Sequence, residues 1–190
     1  MKTGHVLLAL TAIFSLPRAA RAQESAPSTI APDNELKKEA IFLLANRRTP
    51  ESRQALRTFY QRTTDEELKK TVIFQLAQDG SPENLQFLKS TALDEGSSAE
   101  IRKTAIFWLG QNRSIDMTEL EDLYTHSDSR EIKEQIIFVY SQRHETAAVD
   151  RLMTLARHDP DPDLRKKALF WLAQSHDDRV TRFLTDLVSD

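Results

Sequence analysis

A phenylalanine-centred motif of eleven residues returns five times along this chain, and few folds can absorb so regular a pattern. Leu36 opens LKKEAIFLLAN, Leu68 opens LKKTVIFQLAQ, Ile101 opens IRKTAIFWLGQ, Ile132 opens IKEQIIFVYSQ and Leu164 opens LRKKALFWLAQ. The phenylalanines, Phe42, Phe74, Phe107, Phe138 and Phe170, follow one another at a nearly constant interval, which marks a repeat architecture. Each motif begins with residues suited to starting a helix. Asp33, Asp65, Ser98, Ser129 and Asp161 stand three places before the first aliphatic residue, where a side-chain oxygen can accept from free backbone amides. Glu35, Glu67, Glu100, Glu131 and Asp163 then put negative charge in the first turn, which the helix dipole favours.

Shorter amphipathic segments separate the motifs, opened by Thr49-Pro50, Ser81-Pro82 and Thr118. Their apolar stripes run through Leu56, Phe59 and Tyr60, then Leu85 and Leu88, then Leu120, Leu123 and Tyr124. Val149, Leu152 and Met153 continue the series, and Val180, Phe183, Leu184 and Leu187 end it. Ten helices in five antiparallel pairs follow. A single pair cannot bury its own faces, so stacking must make the core continuous, which is the logic of an α-solenoid.

The stretch Asp159-Pro160-Asp161-Pro162-Asp163-Leu164-Arg165-Lys166-Lys167-Ala168, with Leu172 after it, resembles a HEAT repeat of the short bacterial type. The other motifs share its aliphatic-basic-x-x-Ala opening, with Val72 and Ile136 in place of the alanine. The resemblance extends from about Asp33 to the end of the chain. It implies an all-α, right-handed α-solenoid of about five HEAT-like helix pairs, and a scaffold or adaptor more than an enzyme.

On a wheel of 100° per residue, Leu36, Ala40, Ile41, Leu43, Leu44 and Ala45 form one apolar arc, the expected core. Phe42 falls on the opposite side among polar neighbours. Four residues after each repeat phenylalanine stands a carboxamide: Asn46, Gln78, Gln111, Gln142 and Gln174. Residues four apart share a helix face. Each unit therefore offers an aromatic beside an amide, similar to the armadillo pattern, where tryptophans and asparagines hold an extended peptide. The alternative is that the phenylalanines fill the seams between units. Two basic columns accompany the ladder. Lys37, Lys69, Arg102, Lys133 and Arg165 read as ion pairs reaching capping aspartates in neighbouring units. Lys38, Lys70, Lys103 and Lys166 read either the same way or as an electrostatic rim steering an acidic partner. Trp108 and Trp171 are expected in the core.

Other chemistry finds little support. The chain has no cysteine, which excludes thiolate catalysis and zinc-thiolate sites. His126, His144, His158 and His176 are spread over turns without a helical i, i+4 pair. Asp159, Asp161 and Asp163 lack the glycine and distal glutamate of a calcium loop, and cap or turn duty explains them better. No phosphate loop or nucleophile motif is present, so no cofactor or metal is expected.

Lys2, the apolar stretch Val6 to Leu16 and Ala20-Arg21-Ala22 have the layout of a secretory signal with cleavage before Gln23. Removing the segment 1–22, which holds Lys2, Arg18 and Arg21 and no acid, takes the formal charge from −3 to −6. That balance opposes nucleic-acid binding, and no stable membrane insertion is expected after cleavage. The organisation expected is a signal peptide at 1–22, a disordered linker at 23–32 and a solenoid at 33–190, exported to the periplasm or secreted. The function expected is a non-catalytic adaptor whose concave groove holds an extended segment of a partner protein. The alternatives are a self-assembling module using its C-terminal helix, a fragment of a longer array, or a HEAT-like lyase.

Overall fold

The computed structural model describes residues 31–189, and the expected signal peptide and most of the expected linker lie outside them. Among the described residues every regular element is a helix. The helices are α1 (Ala31–Asn46), α2 (Pro50–Arg62), α3 (Glu66–Asp79), α4 (Pro82–Leu93) and α5 (Ala99–Gln111), followed by α6 (Met117–His126), α7 (Arg130–Gln142), α8 (Thr146–His158), α9 (Pro162–Leu172) and α10 (Arg179–Ser189). The five motifs form the odd-numbered helices.

Starts and stops follow local chemistry. Asp65 accepts from the Leu68 amide, Ser98 from Ile101, Ser129 from Ile132 and Asp161 from Asp163. Thr49 and Ser52 close a reciprocal capping box at the head of α2. Two starts differ from expectation. Helix α1 begins at Ala31, inside the expected linker, so Asp33 sits in its first turn and pairs with Lys37. Helix α6 is capped by Asp116, two residues before Thr118, because Asp116 and Glu119 form a second capping box.

The odd helices pack side by side in one row, and each of α2, α4, α6 and α8 lies against the odd helix that follows it. In the second row the close approach is between α4 and α6. The odd helices thus form the more continuously packed row, the inner row. Between the rows runs one continuous core, including Leu56, Leu68, Ile73, Leu88, Ile101, Leu120, Ile132, Tyr140, Leu152 and Leu172. The first unit departs from the expected core arc. Leu36 is 71% and Leu43 56% exposed, whereas the counterparts of Leu36, namely Leu68, Ile101, Ile132 and Leu164, are buried. The difference is one of neighbours: that flank of α3, α5, α7 and α9 meets a preceding helix of the row, and no described helix precedes α1.

A two-unit period is superimposed on the five-fold one. Lys69 lies over the Tyr60 ring at 5.2 Å and Lys133 over the Tyr124 ring at 5.3 Å. In the intervening units the basic residue is arginine and the tyrosine is replaced by Ala92 or Ala156. There Arg102 Nε donates to the Ala92 carbonyl at 3.0 Å, and Arg165 Nη1 donates to the Asp159 carbonyl at 2.8 Å. A long guanidinium reaches a helix-end carbonyl across a small residue, and an ammonium settles on an aromatic face. This basic column is therefore structural, but its partners are not the capping aspartates. Those are reached by the residue two places before the first aliphatic: Asn34 Nδ2 donates to Asp65 at 2.8 Å, and Arg130 Nε to Asp161 at 2.8 Å.

The same contacts predict an acid limit. Backbone amide donation from Leu68 holds the Asp65 carboxyl below its usual range, and donation from Asp163 does the same for Asp161. The hydrogen-bonded Arg179 guanidinium lowers Asp177 to about 2. A carboxyl whose folded pKa is depressed stabilises the fold above its unfolded value of about 4 and loses that contribution as pH falls toward the folded one. Melting temperature should hold steady above about pH 5 and fall between about pH 4 and pH 2. Circular dichroism melts over this range check it, and Asp161→Asn should flatten part of the decline.

Candidate functional site

The repeat phenylalanines come out on the open side of the inner row. Phe42, Phe74 and Phe170 are exposed, Phe107 and Phe138 are half-buried, and none belongs to the core. All five amides, Asn46, Gln78, Gln111, Gln142 and Gln174, are exposed. Each unit thus shows an aromatic and, one turn closer to the helix C-terminus, a carboxamide that can both donate and accept.

The tryptophans differ from expectation. Trp108 and Trp171 are half-buried, packed against the core from this face instead of lying within it. The Trp108 ring lies 4.8 Å from Phe74 of the preceding unit and 5.0 Å from Phe107 of its own. Trp171 repeats the arrangement, 5.2 Å from Phe138 and 5.1 Å from Phe170. Each indole bridges two rungs, producing two aromatic clusters of two phenylalanines and a tryptophan. The wheel angle placed the indoles toward the core, but a flat ring on a helix flank can slide over its neighbour instead of under it. Ala77 with Trp108, and Ser141 with Trp171, line the hollows described next. The third-to-fourth step is built differently. There Val139 is buried against Gly110, where any added Cβ would lie 2.8 Å from Val139 Cγ2 and closer still to Cγ1.

On the amide side of each tryptophan is a hollow. The first, about 250 Å³, is lined by Gln78, Trp108, Gln111 and Arg113 among others. The second, about 420 Å³, is lined by Gln142, Arg143, His144, Trp171, Gln174 and His176, together with Glu145 and Asp177. The two acids are already engaged, Glu145 by Arg143 at 3.1 Å and Asp177 by Arg179 at 2.8 Å. The Trp171 indole nitrogen is buried without a hydrogen-bond partner. His144 and His176, which lie in separate turns of the sequence, meet at this hollow.

The second basic column is arranged otherwise than as a free cationic rim. Lys38 pairs with Glu35 at 2.9 Å, Lys70 with Glu67 at 2.9 Å, Lys103 with Glu100 at 2.5 Å and Lys166 with Asp163 at 3.6 Å. The fourth unit has Glu134 at this position, and it pairs with Lys167 at 3.0 Å. The N-terminal edge of the ladder is therefore close to neutral. The opposite edge is not: Arg47, Arg48 and Arg113 are exposed at the odd-helix C-termini and form no salt bridge among the described residues. Sequence reading missed this edge because it followed residues recurring in every unit, and these follow the ladder amides in only some. The alternating FWLGQ and FWLAQ motifs, two units apart, were the available signal for the tryptophan sites.

Among the described residues no group of three His, Asp or Glu side chains is arranged to hold a metal ion, and no helix is long and apolar enough to cross a membrane. Asp159 and Asp161 serve the turn before α9. Asp159 accepts from the Tyr124 hydroxyl at 2.5 Å and from the Asp161 amide at 2.9 Å, and Asp161 in turn caps α9.

Residues 28–110 match the family of HEAT repeats. No curated protein matches the sequence. The match covers the segment through α5, and the same helix pair, with similar caps and the same ladder positions, continues through α10. Residues 28–110 are thus HEAT repeats, which generally mediate protein–protein interaction, and the ten helices are consistent with an α-solenoid of helix pairs.

Proposed function

We propose that this is an exported, non-catalytic adaptor whose inner row holds an extended segment of a partner protein. The observation that carries the reading is that all five amides and all five aromatics leave the core for one open face. Stacked helices lie about 8–10 Å apart, so five rungs make a track on the order of 40 Å. At about 3.3 Å per residue, that suits roughly a dozen residues of extended chain. A carboxamide can meet the peptide group of any residue, and the aromatic beside it offers an apolar surface to the side chain.

Because the amides are exposed, they can be removed without opening the core. A variant with Gln78→Ala, Gln111→Ala and Gln142→Ala should fold with stability within about 0.5 kcal/mol per site of the parent. Pull-down from a cell-envelope extract, with the parent chain and this variant side by side, tests the reading. A protein retained by the parent and lost by the folded variant supports it. Equal retention by both moves the binding surface elsewhere and ends it.

Export rests on the segment 1–22. Expressed from its own start codon in a bacterial host, the protein should be recovered from the periplasm or medium with Gln23 as its first residue. N-terminal sequencing reads the outcome, and an intact Met1 on cytoplasmic material rejects it. End-to-end association is a second reading, favoured by exposed Leu36, Leu43 and Val188. Light scattering across a concentration series decides it, since a strict monomer at high concentration removes it.

A further inference from the structure

The two tryptophan sites repeat one design at a fixed separation, and that separation constrains the ligand. Each site has an indole spanning two phenylalanines on one side and a hollow flanked by two carboxamides on the other. The steps between them carry no tryptophan: Leu43, Gln75 and Val139 occupy the equivalent positions of the other units. The ladder is thus five rungs of similar polar character with two reinforced aromatic seats, two units apart.

Two units correspond to about 16–20 Å at helix spacings of about 8–10 Å. An extended chain covers that distance in roughly five or six residues. Side chains of a strand alternate between its faces, so only an even interval directs both toward the seats. Six satisfies both conditions. The charge along the track selects further. The edge at the helix N-termini is neutralised by its own Lys/Glu pairs, whereas Arg113 lines the first hollow with no acid beside it. The acids at the second hollow are bound to arginines, and two histidines face it.

We infer that the ladder reads an acidic extended segment carrying two large apolar side chains six residues apart, one seated at Trp108 and one at Trp171. This rests on the adaptor reading above and adds to it the class of segment. Two linked anchors make the second contact intramolecular, so the pair should bind far more tightly than either alone.

The test is selection of a displayed random twelve-residue peptide library on the mature chain. Selected peptides are then re-measured with Trp108→Ala, Trp171→Ala, Arg113→Glu and the triple glutamine variant. Enrichment of large apolar residues six apart with flanking Asp or Glu is expected. Each tryptophan variant should weaken such peptides at least tenfold, and Trp108→Ala should have no further effect once its anchor is replaced by serine. Arg113→Glu, at an exposed position that leaves the packing intact, should weaken them severalfold even if the tryptophan variants fold poorly. Peptides that depend on the glutamines but show one anchor, another interval, or no response to Arg113→Glu overturn this inference and leave the adaptor reading standing. Selection of no glutamine-dependent peptide overturns both.

Discussion

Asn84→Ala is expected to lower the unfolding free energy by about 2–4 kcal/mol, because the Asn84 amide ties α4 to three polar groups on two other helices, α2 and α3. Its side chain is completely buried near the start of α4. Its Nδ2 donates to the Leu76 carbonyl at 3.3 Å and to Asp79 Oδ2 at 2.9 Å, and its Oδ1 accepts from Arg57 Nη1 at 2.6 Å. Asp79 Oδ1 also accepts from Arg53 Nη2 at 3.1 Å, within an ion pair that brings Arg53 Nε to 2.8 Å from Oδ2. Burial pushes the Asp79 carboxyl up, but the hydrogen-bonded Arg53 guanidinium beside it pulls the other way, and the group remains below its usual range. Taking away the amide leaves a carboxylate, a guanidinium and a helix-end carbonyl partly unsatisfied at the joint between the first two helix pairs. Urea denaturation followed by circular dichroism measures the loss. A cost no larger than that of an ordinary surface substitution would mean that water replaces the amide and that the joint is wetter than this packing implies.

Gly110→Val should be at least as damaging, and its effect should be local to one step of the stack. Any Cβ at 110 meets Val139 Cγ2 at 2.8 Å and Cγ1 more closely still, and Val139 is itself buried and branched. Overpacking of this kind costs about 1–3 kcal/mol, and the further bulk of valine adds to it. In a solenoid each unit touches only its neighbours, so a wedge between α5 and α7 weakens one nearest-neighbour interaction. The single unfolding transition should broaden or separate into two, with the first three helix pairs and the last two melting apart. Adding Val139→Ala should recover at least about 1 kcal/mol, the sign of direct coupling. Without recovery the damage would lie in the helix and not in the interface. The same wedge alters the spacing of the two tryptophan seats, since it sits on the step between them.

Legibility in the sequence varied with the kind of interaction. Caps at Asp65, Ser98, Ser129 and Asp161 could be read directly, because a cap depends on residues within three positions of each other. The amphipathic stripes could also be read, since helical periodicity alone decides which residues share a face. Leu36 and Leu43 defeat that logic in the first unit: periodicity says which face is apolar, not whether a neighbour covers it. Asp116 was passed over for Thr118 because two cap-competent residues competed, and the box with Glu119 decided between them.

Contacts between units were less legible. Lys69 and Arg102 occupy the same repeat position, and nothing in either motif says that one settles on Tyr60 and the other reaches the Ala92 carbonyl. The partner is on another helix, and its size decides the geometry. Trp108 and Trp171 show the same dependence, since a wheel angle near the core boundary leaves the indole free to pack either way. The aromatic partners that decide it, Phe74 and Phe138, stand on neighbouring helices.

The sequence by itself determined the repeat, the helix pairs, most of the caps and the alignment of aromatic with amide, all of which follow from spacings along one helix. Only the tertiary structure decided that the ladder stands outside the core, that its lysine column is already ion-paired, and that two tryptophans gather its rungs into two seats. Those outcomes depend on distances between residues a full repeat apart in the chain, set by how closely one helix can approach the next.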